Sequence, residues 1–153
     1  MDEPASRRHT PAAWRGQGPV VAAIACGGGL GSAARYGAGR LWPTPEGGLP
    51  WTVLWVNVTG CALIGVLMVL TFEVWPGPYR LLRPFLGTGV LGGYTTFSTY
   101  SQGAADLLDA ERARAALGYL ALTVVAALAA TWLTMAATRA VARTARRRGR
   151  RER

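Results

Sequence analysis

The densest polar chemistry in this chain sits in nine consecutive residues, Gly92-Gly93-Tyr94-Thr95-Thr96-Phe97-Ser98-Thr99-Tyr100. They interrupt an otherwise apolar segment, about residues 79–105, long enough to cross a bilayer. A glycine pair followed by Thr95, Thr96, Ser98 and Thr99 disfavours a helix, which predicts a break at Gly92-Gly93. A break frees carbonyls from the half-helix before it and N–H groups from the half-helix after it. Freed carbonyls are hard ligands for a cation such as Na⁺, and freed N–H groups favour an anion. At membrane depth such a break persists only beside protein, water or an ion. Phe97 and Tyr100, three apart, share a helical face. Their ring edges carry partial positive charge that can meet an anion, and Ser98 and Thr99 add hydroxyl donors beside them.

Other polar side chains stand in apolar surroundings. Asn57 is the strongly polar residue of the segment that begins at Trp51. It reads equally as an interhelical hydrogen bond or as an amide donor facing a polar track. Arg35, near the end of a glycine-rich segment, either snorkels to the interface or acts as a vestibule cation that raises local anion concentration. Tyr119 and Thr123 are four apart on one face. Thr131, Thr134 and Thr138 recur with the spacing of threonines that bond back to their own helix. Gly27, Gly28, Gly29 and Gly31 suit close helix packing, and Cys26 and Cys61 read as small buried residues.

The elements that must position these residues are long apolar blocks. Four segments reach spanning length: about 20–41, 51–72, 79–105 and 113–138. Short loops join them, and Trp42, Trp51, Trp75, Tyr79 and Trp132 lie near segment ends, where aromatic anchors belong. The expected fold is an all-α integral membrane protein with four transmembrane helices, the third broken mid-membrane. Residues 1–18 read as a disordered cytoplasmic arm, 19–138 as the transmembrane domain and 139–153 as an Arg-rich cytoplasmic tail.

Charge gives the orientation. The chain carries 17 arginines, no lysine and 8 acidic residues. Eight arginines fall after Thr138, opposed only by Glu152, which reads as a juxtamembrane cluster touching anionic lipid rather than as a nucleic-acid site. With Arg7, Arg8 and Arg15 in the N-terminal arm, the positive-inside rule puts both termini in the cytoplasm. Arg80 and Arg83 fall on the same side.

Several function classes lack their residues. His9, Cys26 and Cys61 have no metal-ligand spacing. There is no Ser/His/Asp set, carboxylate pair or phosphate loop, so an enzyme is not expected. No Asp or Glu lies centrally in any span, which argues against a small multidrug-type secondary transporter. A non-transporting scaffold leaves the third-segment break unexplained.

Gly28-Gly29-Leu30-Gly31-Ser32-Ala33-Ala34-Arg35-Tyr36, Val56-Asn57-Val58-Thr59-Gly60 and Gly92 through Tyr100 together resemble the CrcB/Fluc fluoride channels in order and spacing. The resemblance covers about residues 20–138. It implies an antiparallel, dual-topology-type dimer in a bacterial cell (inner) membrane, with two pores that let fluoride leave passively and so detoxify the cytoplasm. It implies a structural, untransported Na⁺ at the dimer centre, held by the backbone carbonyls of Gly92 and Thr95. Phe97 and Tyr100 would form an aromatic fluoride track, with Asn57, Ser98, Thr99, Tyr119 and Thr123 along it. Tyr100 stands where the family usually has Phe. Its hydroxyl either donates to fluoride and slows exit or finds a protein partner. The heavy Arg tail departs from dual topology and predicts insertion mainly one way, which calls for an oppositely oriented partner such as a paralogous subunit; the antiparallel dimer is thus either homo- or heteromeric.

Overall fold

A computed structural model describes residues 16–75 and 80–151, with side chains through 148. Residues 1–15, with Arg7, Arg8, His9 and Arg15 of the expected arm, lie outside the described residues, as do 76–79, with Tyr79, and 152–153.

The described chain is all helix and turn. Helix α1 is Gly18–Leu41, with Pro19 in its first turn, where the missing proline N–H costs nothing. Helix α2 is Trp51–Val69 and continues through a wider π-helical turn, Leu70–Val74. Helix α3 covers 84–94: a π-helical stretch, Pro84–Leu91, runs into an α-turn, Gly92–Tyr94. Helix α4 is Ser98–Asp109 and helix α5 is Ala113–Arg151. The turn between α4 and α5 is closed by Glu111 at φ 59°.

Two helices, Trp51–Val74 and Ala113–Arg148, are long and apolar enough to cross a membrane. The expected first span is diluted by glycine and carries Arg35 and Arg40. The expected third span is divided between α3 and α4, neither of which reaches the roughly 20 residues a crossing needs. Large apolar side chains face outward along the helices, including Trp55, Leu63, Leu117, Leu128 and Trp132. A soluble chain would bury such a surface.

The break does not fall at the glycine pair. Gly92 is helical (φ −66°, ψ −33°), and the backbone leaves the helix at Thr95 (φ −75°, ψ 157°). Gly93 keeps its helical place because that lets α3 touch α1. A methyl group on Gly93 would lie 2.9 Å from Gly28 Cα, and one on Gly27 would lie 2.9 Å from Val90 N. Gly27 and Gly31 are buried in that contact, as packing by small residues predicts. Gly29 meets nothing.

Helices α2 and α5 pack along their length through Gly65, whose Cβ position is 2.7 Å from Thr131 O. Thr131 Oγ1 donates to Cys61 O at 3.1 Å. Thr131, Thr134 and Thr138 also bond back one turn, at 3.0, 2.8 and 2.7 Å. At one end α2, α4 and α5 close a small core of Leu54, Tyr100, Ala104, Leu107, Ala116 and Tyr119. Cys61 is partly buried, but Cys26 is exposed on α1, contrary to the expectation of two buried cysteines. The Arg-rich tail continues α5 as far as Arg151, because Ala and Arg are strong helix formers and no proline intervenes.

Candidate functional site

The three sequence motifs converge on residues 93–96. From α1, Ser32 Oγ donates to Gly93 O at 3.4 Å and Arg35 Nε donates to the same carbonyl at 3.2 Å. This carbonyl lies in the last turn of α3, where helical partners run out and a cation is favoured. Gly31 makes the approach possible: a methyl group there would collide with Val90 O and lie 2.7 Å from Tyr94 N.

From α2, Asn57 takes both backbone groups of Thr96. Thr96 N–H donates to Asn57 Oδ1 at 2.8 Å, and Asn57 Nδ2 donates to Thr96 O at 3.0 Å. One side-chain amide thus replaces the helical partners of a residue that has left the helix. Thr59 Oγ1 pairs with Tyr94 OH at 3.1 Å, and Gly60 leaves room for Thr95, whose Cγ2 any Cβ there would strike. The interhelical reading of Asn57 therefore describes its contacts here.

These bonds decide which carbonyls the helix keeps. In an unbroken helix Thr96 N–H would return to Gly92 O; here it goes to Asn57. Thr99 N–H would return to Thr95 O; here it goes to Thr96 Oγ1 at 3.2 Å. Gly92 O and Thr95 O thereby lose their helical donors. Carbonyl oxygens without donors are neutral, hard ligands of the kind a cation such as Na⁺ takes. Among the described residues no cluster of three or more His, Cys, Asp or Glu could hold a metal ion.

On the other side of the interruption, the Phe97 and Tyr100 rings lie 5.7 Å apart at 54°, and Tyr100 and Tyr119 lie 5.4 Å apart at 46°. The three rings form a row that runs from the surface inward, since Phe97 is 78% exposed while Tyr100 and Tyr119 are 9% and 3%. The Tyr100 hydroxyl has a protein partner: it donates to Leu120 O at 2.8 Å. The Tyr119 hydroxyl is buried with no hydrogen-bond partner among the described residues, and Thr123 Oγ1 bonds back to Tyr119 O at 2.8 Å. Ser98 and Thr99 are exposed at the start of α4, and Thr99 Oγ1 accepts from Thr96 Oγ1 at 3.2 Å.

Arg35 also faces a cavity of about 360 Å³ that is lined in part by Arg40, Thr44, Thr52, Thr96 and Thr99. Its guanidinium is tied to Gly93 O at Nε and borders this space. Sequence reading passed over Ser32, Thr96 and Gly60 as site residues. Ser32 had a signal, because it is three residues before Arg35 and so on the same helical face. Thr96 had none, since its partner is 39 residues away.

Residues 22–135 match the family described as CrcB-like protein, Camphor Resistance (CrcB). The chain is 60% identical over 121 residues to fluoride-specific ion channel FluC 2 of Streptomyces avermitilis, covering 79% of this chain and 74% of that protein. It is 57% identical to fluoride-specific ion channel FluC 1 of Streptomyces coelicolor, covering 84% and 82%. It is 53% identical to fluoride-specific ion channel FluC 2 of Nocardia farcinica, covering 84% and 91%. These relatives and the exposed apolar helices mark a membrane protein, and the relatives are named as channels, not enzymes.

Proposed function

Because the chain belongs to the CrcB family, we propose that it is a fluoride-specific channel of the cell membrane that lets fluoride leave passively and so lowers cytoplasmic fluoride. The observation that carries the reading is the convergence of the three motifs on residues 93–96, within a chain 60% identical to a protein named as a fluoride-specific channel.

Helices α1, α2 and α5 each cross the bilayer, and α3 with α4 makes the remaining crossing, interrupted at residues 95–97. Fluoride is small and strongly hydrated, so a selective path replaces water with donors and positive ring edges. The row Phe97, Tyr100, Tyr119 supplies ring edges, and Ser98, Thr99 and Thr123 supply hydroxyls. The unpartnered Tyr119 hydroxyl is the donor best placed to serve a passing anion from within the protein. Asn57 serves chiefly by holding the interruption open, with one Nδ2–H beyond the bond to Thr96. Arg35 and Arg40 gather anions at the mouth.

Gly92 and Thr95 would hold a structural Na⁺ through their carbonyls. When bound it supplies a fixed positive charge; at about 10 Å and an effective dielectric near 20 this attracts an anion by less than about 2 kcal/mol, enough to aid entry without trapping.

The functional unit is an antiparallel dimer. Charge at the two ends bears on its composition. Glu73 at the end of α2 meets Arg139 and Arg146 of α5, and Arg80 and Arg83 lead into α3 at that same end. At the other end Arg112 bonds Gly47 O, and Arg40, Arg112 and Arg114 stand against Glu46, Asp106, Asp109 and Glu111. So strong a bias favours one orientation, termini inside, and an inverted paralogous subunit as partner.

The test is ion efflux from liposomes loaded with fluoride or chloride, with Na⁺ present. Fast fluoride loss without chloride loss is expected, from the chain alone or after co-reconstitution with an inverted paralogue. Absence of fluoride loss under both conditions would overturn the reading.

A further inference from the structure

Helix α5 is far longer than a membrane crossing. Its 39 residues extend about 58 Å at 1.5 Å per residue, against a hydrocarbon core of about 30 Å. The point where it leaves the core is marked twice. Arg139 pairs with Glu73 at 2.7 Å, beside the end of α2, and the exposed Trp75, two residues after Glu73, lies at that end too, as interfacial anchors do. Beyond it the helix carries Arg143, Arg146, Arg147 and Arg148, all exposed. Arg146 spends one N–H on Glu73 O at 2.8 Å. Glu73–Arg139 is the only ion pair among the described residues, and the same carboxylate also feels the charge of Arg143, so one carboxylate, already paired, faces the charge of these four arginines.

We propose that the segment of α5 beyond Arg139 is a docking surface for anionic lipid headgroups of the membrane its own apolar half crosses. The inference needs only the membrane placement, and holds whichever ion the chain conducts. Heights fit. Arg143 to Arg148 stand about 6 to 14 Å beyond Arg139 along the axis, and headgroups occupy about 5–8 Å outside the core. Arg143 and Arg146 reach that layer directly by bending their long stems back. Arg147 and Arg148 lie within about one Debye length of it at physiological salt. Arginine also suits the ligand, because its planar fork binds phosphate oxygens in pairs. A free phosphate offers the same oxygens but not the surface potential that accumulates over several basic side chains.

The experiment is hydrogen exchange of the full chain in nanodiscs, comparing all-zwitterionic lipid with lipid containing an anionic phosphatidylglycerol fraction. Amides after Arg139 should exchange about tenfold or more slowly with anionic lipid, while those of 120–135 stay unchanged. The protection should vanish at high salt with the natural sequence. It should also vanish at low salt in R143Q/R146Q/R147Q/R148Q; the salt arm stands if that variant fails to fold. Equal exchange in the two lipids, or equal protection by inorganic phosphate over zwitterionic lipid, would overturn the proposal.

Discussion

Replacing Asn57 with Leu tests the clamp on the interruption. The side chain of Asn57 makes two hydrogen bonds to the Thr96 backbone, at 2.8 and 3.0 Å. Leucine has similar volume and neither bond, so packing is largely kept while two backbone groups lose partners. A fully buried orphan costs about 1–3 kcal/mol; Asn57 and Thr96 are half-buried, so about 2–6 kcal/mol is an upper bound for a segment that could not move. It can move in one way: Thr96 N–H can return to Gly92 O and extend α3 by a residue, leaving Thr96 O as the remaining orphan. The expected loss is therefore nearer the lower end, about 2 kcal/mol, or roughly 4–8 °C in melting temperature for a chain of this size. That relaxation also consumes the Gly92 carbonyl and turns Phe97 away from Tyr100, so fluoride flux should fall tenfold or more by the Asn57 effect on geometry.

Thermal melting in detergent and fluoride efflux at matched protein density, read side by side, check this. Thr59→Val serves as the control, since it removes the contact to Tyr94 OH but leaves the clamp. Lost flux with an unchanged melting temperature would refute the clamp, because it would make Asn57 a pore donor alone. Unchanged flux and stability would refute both roles.

Tyr100→Phe should leave fluoride flux within about twofold and cost about 1 kcal/mol of stability, because the hydroxyl is spent on Leu120 O; a severalfold change in flux would place that hydroxyl in the path. Gly31→Ala should destabilise by at least about 1–3 kcal/mol, since the new methyl strikes Val90 O and lies 2.7 Å from Tyr94 N, whereas Gly29→Ala, open on all sides, should be neutral or slightly stabilising; equal melting of the two variants would contradict the packing argument. Exchanging Na⁺ for a bulky organic cation should lower the melting temperature. Each tenfold rise in Na⁺ above its dissociation constant should then restore about 1.4 kcal/mol, and identical melting in both salts would remove the cation from the Gly92–Thr95 carbonyls.

Composition and apolar block lengths made the helical fold legible, because they are local properties. The boundaries that failed were those decided by partners far along the chain. Cys26 was expected inside and is exposed, since an apolar segment alone does not say which face its neighbours cover. The end of α5 was placed at Thr138 by hydropathy, yet the helix runs on to Arg151; loss of apolarity marks where a helix leaves the membrane, not where it stops. The Tyr100 hydroxyl had two possible fates that only the position of Leu120, on another helix, could decide.

The position of the break shows the same thing most sharply. Intrinsic propensity points to Gly92-Gly93, where a helix costs about 1 kcal/mol per glycine relative to alanine. That cost is offset because only glycine lets α3 lie against Gly28 of α1, and the contact exists only while Gly93 is helical. Threonine at 95 and 96 is a poorer helix former than alanine, but two such residues alone rarely stop a helix. What stops this one is a competing pair of backbone partners delivered by Asn57 at the right depth on α2. The glycines and the amide therefore have separate tasks: the first set brings α1 to the Gly93 carbonyl, and the second sends the Thr96 N–H away from Gly92. Substituting the glycines should loosen α3 from α1 without moving the interruption, and substituting Asn57 should move the interruption without loosening α3 from α1. A crosslink between α1 and α3 that survives in the Asn57 variant and fails in a Gly31 variant would separate the two tasks, and the opposite pattern would show that the break belongs to the glycines after all.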